Sequence, residues 1–167
     1  MKTDATMQSI ESLLKIAVDK TEDVKGNFKE GLGAIKRSER KKFSVPNTYK
    51  ITGSLNIDAS TATIYPHSNR WDYAIEYNKE TFFVEVHPAS TSEIPTIINK
   101  LTWLKNWLVE KAPEIDALKP KNKQPYYWIF TNRCSILPNS KYARQLAQNN
   151  IKPMKQWNLQ IKWMVFA

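Results

Sequence analysis

Arg70-Trp71-Asp72-Tyr73-Ala74-Ile75-Glu76-Tyr77-Asn78-Lys79-Glu80-Thr81-Phe82-Phe83-Val84-Glu85-Val86-His87-Pro88 is the stretch that decides the fold. Trp71, Tyr73, Ile75 and Tyr77 alternate with Asp72, Ala74 and Glu76, and Phe82, Val84 and Val86 alternate with Phe83, Glu85 and His87. Such period-two alternation marks strands whose two faces differ. With Asn78-Lys79 as a two-residue hairpin loop, Tyr77 pairs with Glu80; counting back pairs Asp72 with Glu85 and Trp71 with Val86. Paired side chains sit roughly 5 Å apart at Cβ. Asp72, Glu85 and His87 are therefore expected on one face, with an apolar stripe on the other. A register slip of one residue would send Asp72 to the opposite face from Glu85. Two acids this close repel unless a positive charge lies between them, and a divalent cation fits that need. The other reading of the same residues is the wet face of a half-buried sheet.

Composition bounds what surrounds this hairpin. With 167 residues, 41% apolar and 25% charged, the chain suits one globular domain spanning 1–167 with a sizeable core. Cys134 is the single cysteine, so no internal disulfide forms and a reducing cytoplasm suits the chain. No apolar run approaches the ~18–20 residues that cross a bilayer. The N-terminal residues lead into an amphipathic stretch, which reads as a soluble cytoplasmic protein without a signal peptide. The net charge of +9 points to polyanionic partners, nucleic acid first and an acidic protein second. Part of that charge lies in Lys36, Arg37, Arg40, Lys41 and Lys42, a candidate nucleic-acid-binding segment, and more in Lys119, Lys121 and Lys123.

Outward from the hairpin, Ile10, Leu13, Leu14, Ala17, Val24, Phe28, Leu32 and Ile35 recur at three- and four-residue steps and predict a long N-terminal helix, broken near 31–33 by glycines. Residues 49–58 alternate as a first strand. Ser90-Thr91-Ser92 offers capping hydroxyls to a helix over 92–110 whose apolar face is Ile94, Ile97, Ile98, Leu101, Leu104 and Leu108. Tyr126 to Phe130 reads as a strand buried on both faces. A short helix capped by Asn139-Ser140 follows, and Leu159, Ile161, Trp163 and Val165 alternate as a last strand. The expected class is α/β (α+β): a mixed central sheet with helices on both faces in the order α-β-β-β-α-β-α-β.

That order, with an acid opening the second strand and Glu85-Val86-His87 ending the third, resembles the PD-(D/E)XK, restriction-endonuclease-like nuclease superfamily over roughly residues 8–131. The resemblance implies that Asp72 and Glu85, with the Val86 carbonyl, hold Mg or Mn. It implies catalysis by Asp72, Glu85 and the residue in the lysine position, which here is His87. His87 can accept a proton from water or bind a transition metal; alternatively Lys100, on the following helix, reaches back to supply the cation. Asp58 and Glu11 are further acids of interest, with turn formation and solvation as their simpler roles. Two functions follow: a metal-dependent nucleic-acid phosphodiester hydrolase, or a catalytically inactive nuclease-like module that binds nucleic acid or a protein partner.

Overall fold

The structure, a computed structural model, describes residues 11–45 and 47–159. Along them run α1 (Leu13–Asp19), β1 (Lys29–Glu30), β2 (Ile51–Asn56), α2 (Ile57–Thr61), β3 (Tyr73–Tyr77), β4 (Glu80–Val86), α3 (Ile94–Glu110), α4 (Pro113–Asp116), β5 (Tyr126–Ile129), α5 (Lys141–Gln148) and β6 (Pro153–Met154). The six strands form one sheet in chain order. β1 to β4 are antiparallel neighbours, and β5 and β6 add in parallel.

The hairpin has the register its alternation predicts, from Tyr73 opposite Val84 to Tyr77 opposite Glu80. Asn78 and Lys79 have φ of 50° and 67°, the doubly left-handed pattern of a type I′ turn, whose twist matches that of the flanking strands. Asp72 and Glu85 stand one step beyond the last paired residues, so they face each other.

Two cores sandwich the sheet. Leu55, Ala74, Phe83, Tyr126 and Trp128 pack against residues of all five α-helices on one face. Tyr73, Ile75, Phe82, Val84, Tyr127 and Ile129 pack on the other against Ile35, Phe43, Val45 and Trp157. The sequence predicts α-helices on both faces; among the described residues they all serve the first. The reason is strand order. The sheet advances from β4 to β5 to β6 without reversing, and crossovers of one hand then land on one side. The second face is closed by the chain around a 3-10 turn, Arg37–Lys42, and by Trp157, whose ring centroid lies 5.6 Å from Phe82 and 6.0 Å from Phe43.

The long N-terminal helix is also corrected. α1 ends at Asp19, Val24 is buried in a 3-10 turn, Gly26 adopts φ of 82°, and β1 pairs at the sheet edge. The stripe residues divide between the two cores, Leu14, Ala17 and Val24 on one face and Ile35 on the other. One straight helix cannot reach both faces of a sheet. Ile10 of that stripe, Pro46, and the stretch from Ile161 to Val165 of the expected last strand lie outside the described residues. β6 forms earlier, at Pro153–Met154.

α3 matches its expectation. Ile94, Ile97, Leu101, Leu104 and Leu108 are buried, but no side chain of Ser90, Thr91 or Ser92 caps it. Ser140 does cap α5, its hydroxyl accepting from the Ala143 N–H at 3.1 Å. Among the described residues no helix is long and apolar enough to cross a membrane.

Candidate functional site

At the end of β4 the two facing acids hold each other in place through the backbone. The Asp72 N–H donates to Glu85 Oε2 at 2.9 Å, and the Val86 N–H donates to Asp72 Oδ2 at 3.0 Å. Each carboxylate so commits one oxygen and turns the other toward Lys100. Lys100 Nζ donates to Glu85 Oε1 and lies 3.7 Å from Asp72 Oδ1. Lys100 flanks the buried stripe of α3, three residues after Ile97 and four before Leu104. Its alkyl stem crosses the apolar surface while its ammonium reaches the acids. The triad joins β3, β4 and α3, and it lies on the helical face rather than on a wet one: the Glu85 side chain is 0% exposed.

Burial sets the electrostatics. It raises the Glu85 carboxyl well above its usual range; the Asp72 charge adds to the rise and the Lys100 ammonium opposes it. Burial also raises Asp72, against Lys100 and the Val86 N–H. Burial pulls Lys100 downward, but the charges of Glu85 and Asp72 outweigh it and hold the ammonium above its ordinary value. Two buried acids share one cation, so the cluster has unspent affinity for positive charge.

His87 is placed differently from the expectation of a lysine substitute. Its Nε2 is 2.6 Å from Glu93 Oε2, while Nδ1 is 3.8 Å from Glu85 Oε1. A carboxylate only accepts, so Nε2 carries the proton of that bond. His87 thus stands beside the triad, tied to the turn that opens α3, and Lys100 supplies the cation. The backbone of Val86 also aims at the site. Phe83 donates to the Pro125 carbonyl just before β5 and His87 to the Ile129 carbonyl at its end, so the intervening Val86 turns its N–H and C=O to the Asp72 side.

The other residues named from sequence divide clearly. Asp58 opens α2 beside the site; its N–H reaches the Asp72 carbonyl at 3.4 Å, its Oδ1 accepts from Arg70 Nε at 2.9 Å, and its charge is felt at both Asp72 and Lys100. Glu11 pairs with Lys15 on the surface. Lys36, Arg37 and Lys41 are exposed. Arg40 and Lys42 fold back, Arg40 Nε onto the Ile35 carbonyl at 3.0 Å and Lys42 Nζ onto the Phe130 and Thr131 carbonyls at 3.3 Å. The segment packs on the second face, where Glu39 accepts from the Tyr73 hydroxyl at 2.5 Å, and of the segment only the Glu39 charge is felt at Asp72. Sequence reasoning missed Glu93, Arg70 and Glu76. Glu76 is buried on β3 and accepts from Ser12 Oγ at 2.7 Å and the Leu14 N–H at 2.8 Å, anchoring α1. An acid among apolar strand residues was the one available signal.

No family model matches the chain, and neither a curated protein nor a solved structure matches it. The two convergent carboxylate oxygens, Glu85 Oε1 and Asp72 Oδ1, both face the Lys100 ammonium, so a cation held by them would take the place of that ammonium. Among the described residues no group of three or more His, Cys, Asp or Glu is arranged to hold a metal.

Proposed function

We propose that the protein is a metal-dependent nucleic-acid phosphodiester hydrolase of PD-(D/E)XK type in which Lys100, from α3, takes the role of the motif lysine. The observation that carries this reading is the convergence of Asp72 and Glu85, from neighbouring strands, on one cation delivered by the next helix. Mg²⁺ or Mn²⁺, when bound, supplies neutralisation of the phosphate oxygens and acidifies its water. Asp72 and Glu85 would hold the ion through the two oxygens that now face Lys100, with their other oxygens anchored by backbone N–H groups. Lys100 positions the attacking water or offsets the charge that grows on the phosphate. Exposed Lys36, Arg37 and Lys41 add positive charge that attracts a polyanion.

Cleavage of labelled DNA and RNA with and without Mg²⁺ or Mn²⁺ tests this. Asp72→Asn, Glu85→Gln and Lys100→Ala are each expected to lower the rate at least ~100-fold, the scale of losing one preorganised charge. Cleavage that survives Asp72→Asn would sink the assignment.

A second reading has its own observation. Lys100 already bridges both carboxylates, so the cluster can stand as a structural ion triad in a non-catalytic module that binds nucleic acid or an acidic protein. Tight binding without cleavage or metal uptake by the wild type would select it.

A further inference from the structure

The opposite end of the hairpin carries a separate feature. Lys79 and Glu80, from the β3–β4 turn, and Lys119, Lys121, Asn122 and Lys123, from the loop after α4, line an open cleft of about 480 Å³. Four lysines therefore face one concavity whose lining holds a single acid. Glu80 pairs with Lys123 at 2.9 Å, and Lys119 pairs with Asp116 at 2.6 Å. Lys79 and Lys121 have no acidic partner among the described residues, and both are exposed. Like charges gathered in a concavity raise the local potential and concentrate anions there. The loop is held in shape for this, since Pro120 is buried between two of the lysines and the Leu118 carbonyl accepts from the Thr81 N–H at 2.9 Å.

The turn adds an independent observation. Lys79 stands at the second central position of the type I′ turn with φ of 67°, where glycine is the favoured residue. Among L residues only Asn and Asp visit this conformation with any ease. A lysine here works against the turn, and its long cationic side chain lines the cleft. A residue kept against local preference points to a role beyond folding.

We propose that this lysine cleft is a phosphate-binding exosite that grips the backbone of a nucleic acid away from the Asp72–Glu85 cluster. Five residues of strand, Tyr73–Tyr77, separate Asp72 from the turn that carries Lys79, roughly 17 Å at ~3.3 Å per residue. That span corresponds to about five nucleotide steps, so an oligonucleotide longer than this can meet both sites. The ligand class rests on the proposed function, but the exosite binds whether or not the cluster cleaves.

The test is binding in the Asp72→Asn protein without divalent metal, so that hydrolysis plays no part. Fluorescence anisotropy of a labelled duplex and a single strand, each about 20 nucleotides long and so well beyond the ~5-step span, is read across a salt series. Lys79→Gly combined with Lys121→Ala is expected to weaken duplex binding at least tenfold and to reduce the salt slope by about 1.8, or about 0.9 for each phosphate no longer neutralised. Lys79→Gly alone is expected to hold or raise the melting temperature, because it suits the turn; a marked fall would show the lysine is there for folding and overturn the argument. Glu80→Gln, which removes the lining acid, should tighten binding. Unchanged affinity and slope in the double variant would refute the exosite. If tripolyphosphate protects the protein from heat while oligonucleotide binding ignores the substitutions, the cleft serves a free oligophosphate and the nucleic-acid assignment fails.

Discussion

Replacing Lys100 by Met removes the ammonium of the buried triad while keeping most of the stem that crosses the apolar surface. The Lys100 side chain is 15% exposed and Glu85 0% exposed, so solvent cannot take over the lost charge. Removing one partner of a buried pair costs about 3–5 kcal/mol when the remaining charge stays ionised. Here the remaining group can instead take up a proton. Glu85 is already raised by burial and by Asp72, with Lys100 opposing; deleting Lys100 raises it further. A carboxyl whose folded-state pKa exceeds its unfolded value binds more protons in the native state. Its stabilising contribution is complete below the unfolded pKa and is lost as pH rises through the folded one. Lys100→Met is therefore expected to cost ~3–5 kcal/mol at alkaline pH. In acid, where Glu85 is neutral, only a shape-conserving swap of about 1 kcal/mol remains. Urea unfolding of both proteins across this pH range reads the difference, and adding Glu85→Gln should flatten it. A cost independent of pH would refute the shared-cation account of the triad.

The remaining expectations concern the second core and the basic segment. Trp157→Ala should lose about 3–5 kcal/mol in denaturant melts, because its buried ring plugs the second face, which among the described residues carries no α-helix; a loss under ~1 kcal/mol would mean that the cavity collapses. Arg37→Ser and Lys41→Ser should each reduce the salt slope of duplex binding by about 0.9 and leave stability unchanged. Lys42→Ser should instead cost about 0.5–1.5 kcal/mol, since it caps two carbonyls beyond β5. Equal behaviour of the three variants in both assays would contradict that division. Gly53→Ala should destabilise by about 1–3 kcal/mol through overpacking, because its Cβ would lie 2.1 Å from Phe28 Cε2; an unchanged unfolding midpoint would place Phe28 elsewhere.

Sequence alone determined what depends on near neighbours. Alternation and a two-residue turn fixed the hairpin register and hence the facing of Asp72 and Glu85. Helical spacing fixed the buried face of α3, and a capping serine fixed the start of α5. These are preferences of a few consecutive residues, and the chain obeys them. Tertiary structure decided which partners meet across the fold. Periodicity could place Lys100 on the flank of α3 but not choose Lys100 over His87 as the cation beside Glu85; the packing of α3 on the sheet does that. It also drew His87 to Glu93 and Glu76 to the start of α1. The apolar stripe from Leu13 to Ile35 reads as one helix because three- and four-residue spacing suits turns and a helix alike. Only the sheet, with two faces to cover, divides it between two cores. The one-sided placement of the α-helices has the same origin, because handedness and strand order act on the whole sheet and leave no mark in any short stretch of sequence.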